Sequence, residues 1–124
     1  MRAAALVLDE PLSLWGGMDP ATGELIDARH PQRGASLAGR VVVMPSGRGS
    51  SSSASVLAEA VRAGSAPAAI LLSEPDLILA IGSAVAAELY GRTVPVIVLD
   101  PAELAAIPDG AEVRIGPGDW VRRV

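Results

Sequence analysis

The residues best suited to chemistry lie in one run, Pro45-Ser46-Gly47-Arg48-Gly49-Ser50-Ser51-Ser52-Ser53. It stands between an apolar segment, Arg40–Met44, and a stretch of helical periodicity, Ala54–Ala63. A strand-to-helix junction points backbone N–H groups and the positive end of the helix dipole at whatever lies above it. This junction adds serine hydroxyls and a guanidinium able to grip a carboxylate through two parallel hydrogen bonds. A serine hydroxyl is weak at its free pKa and needs such help. Used as a base beside Arg48 and the helix amides, it suits removal of a proton next to a carboxylate.

Other readings of the same run compete. A flexible Gly/Ser linker has this composition, but the run joins a strand to a helix, where connections are short. The phosphate-binding P-loop wants a Lys after its second Gly, and none is present. The dinucleotide fingerprint lacks its third Gly in register. A nucleophile elbow needs a Gly two residues after its Ser. A Ser-His-Asp triad has only His30 to draw on, with nothing to place it near Ser50. One serine, Ser52 or Ser53, is expected simply to cap the helix.

Two further clusters are candidates for lining a site. Trp15-Gly16-Gly17-Met18-Asp19-Pro20 is either a glycine turn with a Trp packed on the core or a wall of the site. Ser73-Glu74-Pro75 sits at the carboxyl end of an apolar run, where ligands gather in open parallel sheets. A Glu ahead of a helix also serves as a plain dipole partner.

The elements that must hold these residues follow from periodicity. Ala3–Leu8 reads as a first strand. Leu12–Trp15 reads as a short second one, and Trp15–Asp27 as a hairpin around the Pro/Gly turn at 18–23. Residues 28–38 read as loop. Val41–Met44, Ala68–Leu72 and Val94–Leu99 are continuous apolar runs, the pattern of strands covered on both faces. Pro95 points to an edge position or a strand start for the last. Ala54, Leu57, Ala58 and Val61 mark one face of a helix ended by Gly64. A second helix carries Ile78, Ile81, Val85 and Leu89 along one side and ends at Gly91. A short helical piece spans 101–107, and strands at 111–115 and 120–122 close the chain. The β-α-β-α-β middle implies parallel pairing with right-handed crossovers. One three-layer α/β domain over residues 1–124 is expected, with helices and an extra β layer on a sheet.

Composition narrows the functions. Half of the 124 residues are hydrophobic, yet Phe and Cys are absent and Trp plus Tyr number three. Ala, Val, Leu and Ile must therefore fill the core at close approach. The net charge of −4 with no basic stripe argues against nucleic-acid binding. Without Cys, and with one His, the chain has no thiolate ligands and no multi-histidine metal site. No signal-peptide plan and no membrane-length apolar stretch is visible, so a cytoplasmic location is expected.

Taken in order, Trp15–Gly23, His30-Pro31, Leu37–Ser51 and Ser73-Glu74-Pro75 resemble the small subunit of aconitase X, over roughly Pro11 to Asp100. The resemblance implies a swivelling β/β/α domain with a central parallel-rich sheet. It implies a hydro-lyase subunit that works only with a large subunit, which holds an iron or iron–sulfur centre; this chain would bind no cofactor. Family members dehydrate cis-3-hydroxy-L-proline or phosphomevalonate, and the Arg- and Ala-rich composition favours the former. By the same resemblance Ser50 is the base, with Arg48, Gly49, Ser51 and Ser52 binding substrate and Trp15, Gly16, Gly17, Asp19 and Glu74 lining the site. Ordinary aconitases place an Arg directly after the serine pair; here that position is Ser52. A non-catalytic module that holds a small anion is the alternative from another class.

Overall fold

Side chains of a strand point alternately to opposite faces, so each unbroken apolar run feeds two cores. In the computed structural model, which describes residues 1–124, six strands do so in one sheet. They are β1 (Arg2–Val7), β2 (Val41–Val43), β3 (Ala69–Leu72), β4 (Val96–Val98), β5 (Glu112–Ile115) and β6 (Val121–Arg123). Their order is β4-β3-β2-β1-β5-β6. β1 to β4 pair in parallel, whereas β5 and β6 join antiparallel. The α/β class and the parallel-rich centre agree with the sequence reading. So does the edge position of β4, where Pro95 precedes the strand.

The helices are a single turn α1 (Leu14–Gly17), α2 (Ser53–Ala63), α3 (Leu77–Tyr90) and α4 (Pro101–Ala105). Leu6, Val42, Ile70 and Leu72 share the larger core with Leu57 and Val61 of α2 and Leu79 of α3. Leu12, Leu14, Met18, Leu25 and Leu37 roof that same core. Ala5, Val41, Val43 and Leu71 face the other way, onto Leu104 and Ile107.

Three expectations fail, each for a physical reason. Leu12–Trp15 is not a strand. Leu12 makes one parallel bridge to Gly47, and the chain then turns. Trp15 (φ −71°, ψ 118°) and Gly16 (φ 77°, ψ −11°) take the two central positions of a type II turn, the second of which needs glycine. The hairpin contracts to single bridges, Met18 to Leu25 and Glu24 to Ser36. The third failure is the buried face of α3. Leu79, Gly82, Ser83 and Ala86 are buried, whereas Ile81, Val85 and Leu89 are exposed. A Cβ on Gly82 would come within 2.9 Å of the Ala54 backbone in α2. Small residues at that crossing let the two helices approach closely, and the large side chains turn outward.

Candidate active-site loop

The run from Pro45 to Ser52 leaves the carboxyl end of β2 and enters α2, as the sequence predicts. Its start is pinned. The Pro45 carbonyl accepts hydrogen bonds from the Ser73 and Glu74 amides at 3.0 and 3.1 Å and from the Ser73 hydroxyl at 3.0 Å. The Arg48 amide donates to the Leu12 carbonyl at 3.3 Å. Gly47 lies so close to the Asp76 carboxylate that a side chain there would collide with it.

The end of the run is pinned differently. Ser52 holds the N-cap position of α2, but its side chain makes no capping bond. Ser53, the other expected cap, is buried and faces the opposite way. The Trp15 amide donates to its Oγ at 3.2 Å, and its hydroxyl lies 3.4 Å from Ser13 Oγ. Ser13 Oγ in turn donates to the Trp15 carbonyl at 3.2 Å. Each hydroxyl has one hydrogen, so Ser53 must donate to Ser13, which closes a three-member ring. Ser53 is thus a clasp between the loop and the Trp15 turn.

Between the two pins the backbone is left open. The Ser53 amide donates to the Ser50 carbonyl at 3.0 Å and that of Val56 to Ser52 at 3.1 Å. The amides of Ala54 and Ser55, in the first turn of α2, have no acceptor in the protein. The other two strand-to-helix junctions each carry a side-chain cap. Asp76 accepts from the Leu79 amide at the start of α3, and Asp100 from the Ala102 amide at the start of α4, each at 2.9 Å. The serine loop is therefore the one of the three whose helix start has no side-chain cap.

Arg48, Gly49 and Ser50 line a pocket of about 10 Å³, with Asp76 opposite and Leu12 and Leu79 beneath. That is room for about one water molecule. Arg48 and Ser50 are not hydrogen-bonded to each other; the Arg48 guanidinium lies 3.8 Å from the Glu10 carboxylate. Ser51 and Ser52 are exposed beside the pocket. Trp15 and Gly16 stand next to it through the Ser53 clasp, and Gly17 is buried against Leu12. Asp19 is not brought there: its carboxylate accepts from the Ala21 amide at 2.9 Å within its own turn. Glu74 reaches the loop through its backbone alone. His30 is buried away from Ser50. Its Nδ1 accepts from the Gln32 amide at 3.1 Å, so Nε2 carries the proton and donates to the Glu10 carbonyl at 3.0 Å.

Asp76 and Glu10 were not singled out from the sequence. Asp76 had a signal, an acidic residue ahead of an apolar helical run. Glu10 had none, since its contact crosses 38 positions of chain. No three His, Cys, Asp or Glu side chains gather anywhere in the chain, so its residues do not fit an iron centre. No helix is long and apolar enough to cross a membrane.

Fold and loop together define a class: a mixed α/β domain with an uncapped, serine-rich strand-to-helix junction at the carboxyl end of a parallel strand. The family model described as the aconitase X swivel domain matches residues 1–122, and the chain belongs to that family. It is 54% identical over 99 residues to a cis-3-hydroxy-L-proline dehydratase of Pseudomonas aeruginosa, covering 78% of this chain and 17% of that one. It is 45% identical over 82 residues to the phosphomevalonate dehydratase small subunit of Methanopyrus kandleri, covering 66% and 61%. The chain thus spans less than two thirds of either relative. The crystal structure of Thermococcus kodakaraensis aconitase X in its holo form superposes with a TM-score of 0.86 at 30% identity, over 100% of this chain and 89% of that one.

Proposed function

We propose that this chain is the small subunit, or swivel-domain portion, of an aconitase X dehydratase, and that it supplies the base for dehydration of a hydroxy acid. The observation that carries this reading is the open junction. Of the three helices entered from a sheet strand, α2 alone has no side-chain cap, and its Ala54 and Ser55 amides stand free beside a half-buried Ser50 and a guanidinium. In the proposed step the substrate carboxylate takes the free amides and Arg48. Ser50, as its alkoxide after giving its own proton to solvent, takes the proton alpha to it; the C–H electron pair forms the C=C bond as the C–O bond breaks, and the hydroxyl leaves as water with a proton donated from the large-subunit side. The pocket is far too small to enclose an organic acid. The missing wall, and any iron that helps the hydroxyl leave, are assigned to a large subunit, a partner that the small-subunit names of the relatives support.

We assign cis-3-hydroxy-L-proline as the substrate. Higher identity to the hydroxyproline enzyme supports it. So does charge: the pocket offers one guanidinium, and Glu10 lies beside it, a weak endowment for a phosphate ester. The test is reconstitution with an aconitase X large subunit, followed by assay on both compounds. Turnover of hydroxyproline is expected. Turnover of phosphomevalonate alone reverses the assignment, and activity of this chain without a partner refutes the half-site reading.

A further inference from the structure

A helix that is apolar all round is normally covered all round. α3 is such a helix: from Leu77 to Tyr90 its one charged residue is Glu88. Its Leu79, Gly82, Ser83 and Ala86 stripe is buried. The opposite side is bare. Leu77, Ile81, Val85 and Leu89 recur every fourth residue and are 74, 47, 41 and 64% exposed, with exposed Ala80 and Ala84 between them. We propose that this face of α3 is where the large, metal-bearing part of the dehydratase docks. The inference rests on the reading given above.

Two observations select that occupant. The first is continuity with the site. Asp76, Ile78 and Leu79, at the start of α3, line the pocket that holds Arg48 and Ser50, so the bare face runs on from the rim of a site that lacks a wall. Trp15, 59% exposed, is joined to the same pocket through Ser53, which lines it. A body that closes the pocket passes over this edge. The second is size. The Pseudomonas relative carries the region matched here as 17% of one chain, so most of that chain lies outside this domain and must meet it. The patch is apolar apart from the exposed Glu88. The partner surface is therefore largely apolar, and the contact is only weakly sensitive to salt.

The sequence contains no cysteine, so single thiols report cleanly on each surface. Ile81→Cys and Arg122→Cys (the latter on β6, far along the sheet) are each labelled with a maleimide, alone and after reconstitution with the large subunit. Modification of this chain is read by mass spectrometry. The Ile81→Cys labelling rate is expected to fall at least tenfold on assembly, with Arg122→Cys unchanged. Equal labelling of Ile81→Cys in the assembled complex overturns the proposal. Protection that grows with the concentration of this chain alone also overturns it, in favour of a second copy. Ile81→Glu/Val85→Glu, checked for folding by circular dichroism, is expected to lose co-purification at least tenfold, whereas Ser50→Ala keeps it. An assembled complex that protects Ile81→Cys yet turns over no hydroxy acid leaves the docking surface standing and removes the catalytic reading.

Discussion

Two junctions at the same edge of the sheet are built oppositely. The β3–α3 connection is four residues, Ser73 to Asp76, and it is tied down at both ends: two amides and a hydroxyl bond Pro45, and Asp76 caps the helix. The β2–α2 connection is longer and borrows its rigidity from neighbours, namely Leu12, Ser73 and the Ser13–Trp15–Ser53 ring. It leaves the start of α2 without a side-chain cap. A closed junction stabilises the fold, while an open one keeps donors for something outside it. Capping strength and binding capacity are alternatives at a helix start, because the same N–H groups serve both.

The largest effect expected from breaking this contrast is at Ser50. In the reconstituted enzyme Ser50→Ala is expected to lower kcat by about 10²- to 10⁴-fold, the range for a positioned base, with the urea midpoint unchanged. Activity within a fewfold of the parent would remove Ser50 from the chemistry. Next comes Asp76→Ala, which uncaps α3 and is expected to cost about 1 kcal/mol in urea unfolding. It also frees the space against Gly47, so KM should rise as the loop loses its stop. Ser52→Ala is the matched control at the open junction. With no capping bond to lose, it should shift stability by less than about 0.5 kcal/mol; a loss equal to that of Asp76→Ala would show that the junction is closed in solution.

The smallest effect lies at the other end of α2, where Arg62 grips Glu59 through both carboxylate oxygens at 2.9 and 3.0 Å. Hydrogen bonding to Arg62 lowers the Glu59 pKa below its ordinary 4.5 and raises that of Arg62. A lowered carboxylate pKa gives stability that is present above the ordinary value and lost as pH falls through the lowered one. The raised Arg62 value titrates only in strong alkali. Both groups are exposed and screened, so the gain is slight. Thermal midpoints of Glu59→Gln and the parent should differ slightly at pH 7 and converge as the pH falls below the ordinary carboxylate range; a gap that widens on acidification would contradict the sign.

Much of this design is legible along the chain. The parallel strands declare themselves because runs such as Val41–Met44 and Ala69–Leu72 must be buried on both faces. The caps of α3 and α4 are ordinary Asp signals. The type II turn at Trp15-Gly16 was hidden because Leu12–Trp15 alternates like a strand, and only the backbone angles at Trp15 and Gly16 decide otherwise. The Ser53 clasp was hidden because four adjacent serines are chemically identical, and the helix start alone separates the inward one from the outward three.

The amino-acid sequence by itself determined the βαβαβ centre, the edge strand and the loop that carries Arg48 and Ser50. Backbone period and side-chain chemistry are local properties. Tertiary structure decided which side of α3 is buried, because a helix apolar on every side has no preferred face until Gly82 meets Ala54. It also decided which helix-end amides stay open and that Asp76 faces Ser50 across the pocket, since both depend on segments that meet only when β2 and β3 lie side by side.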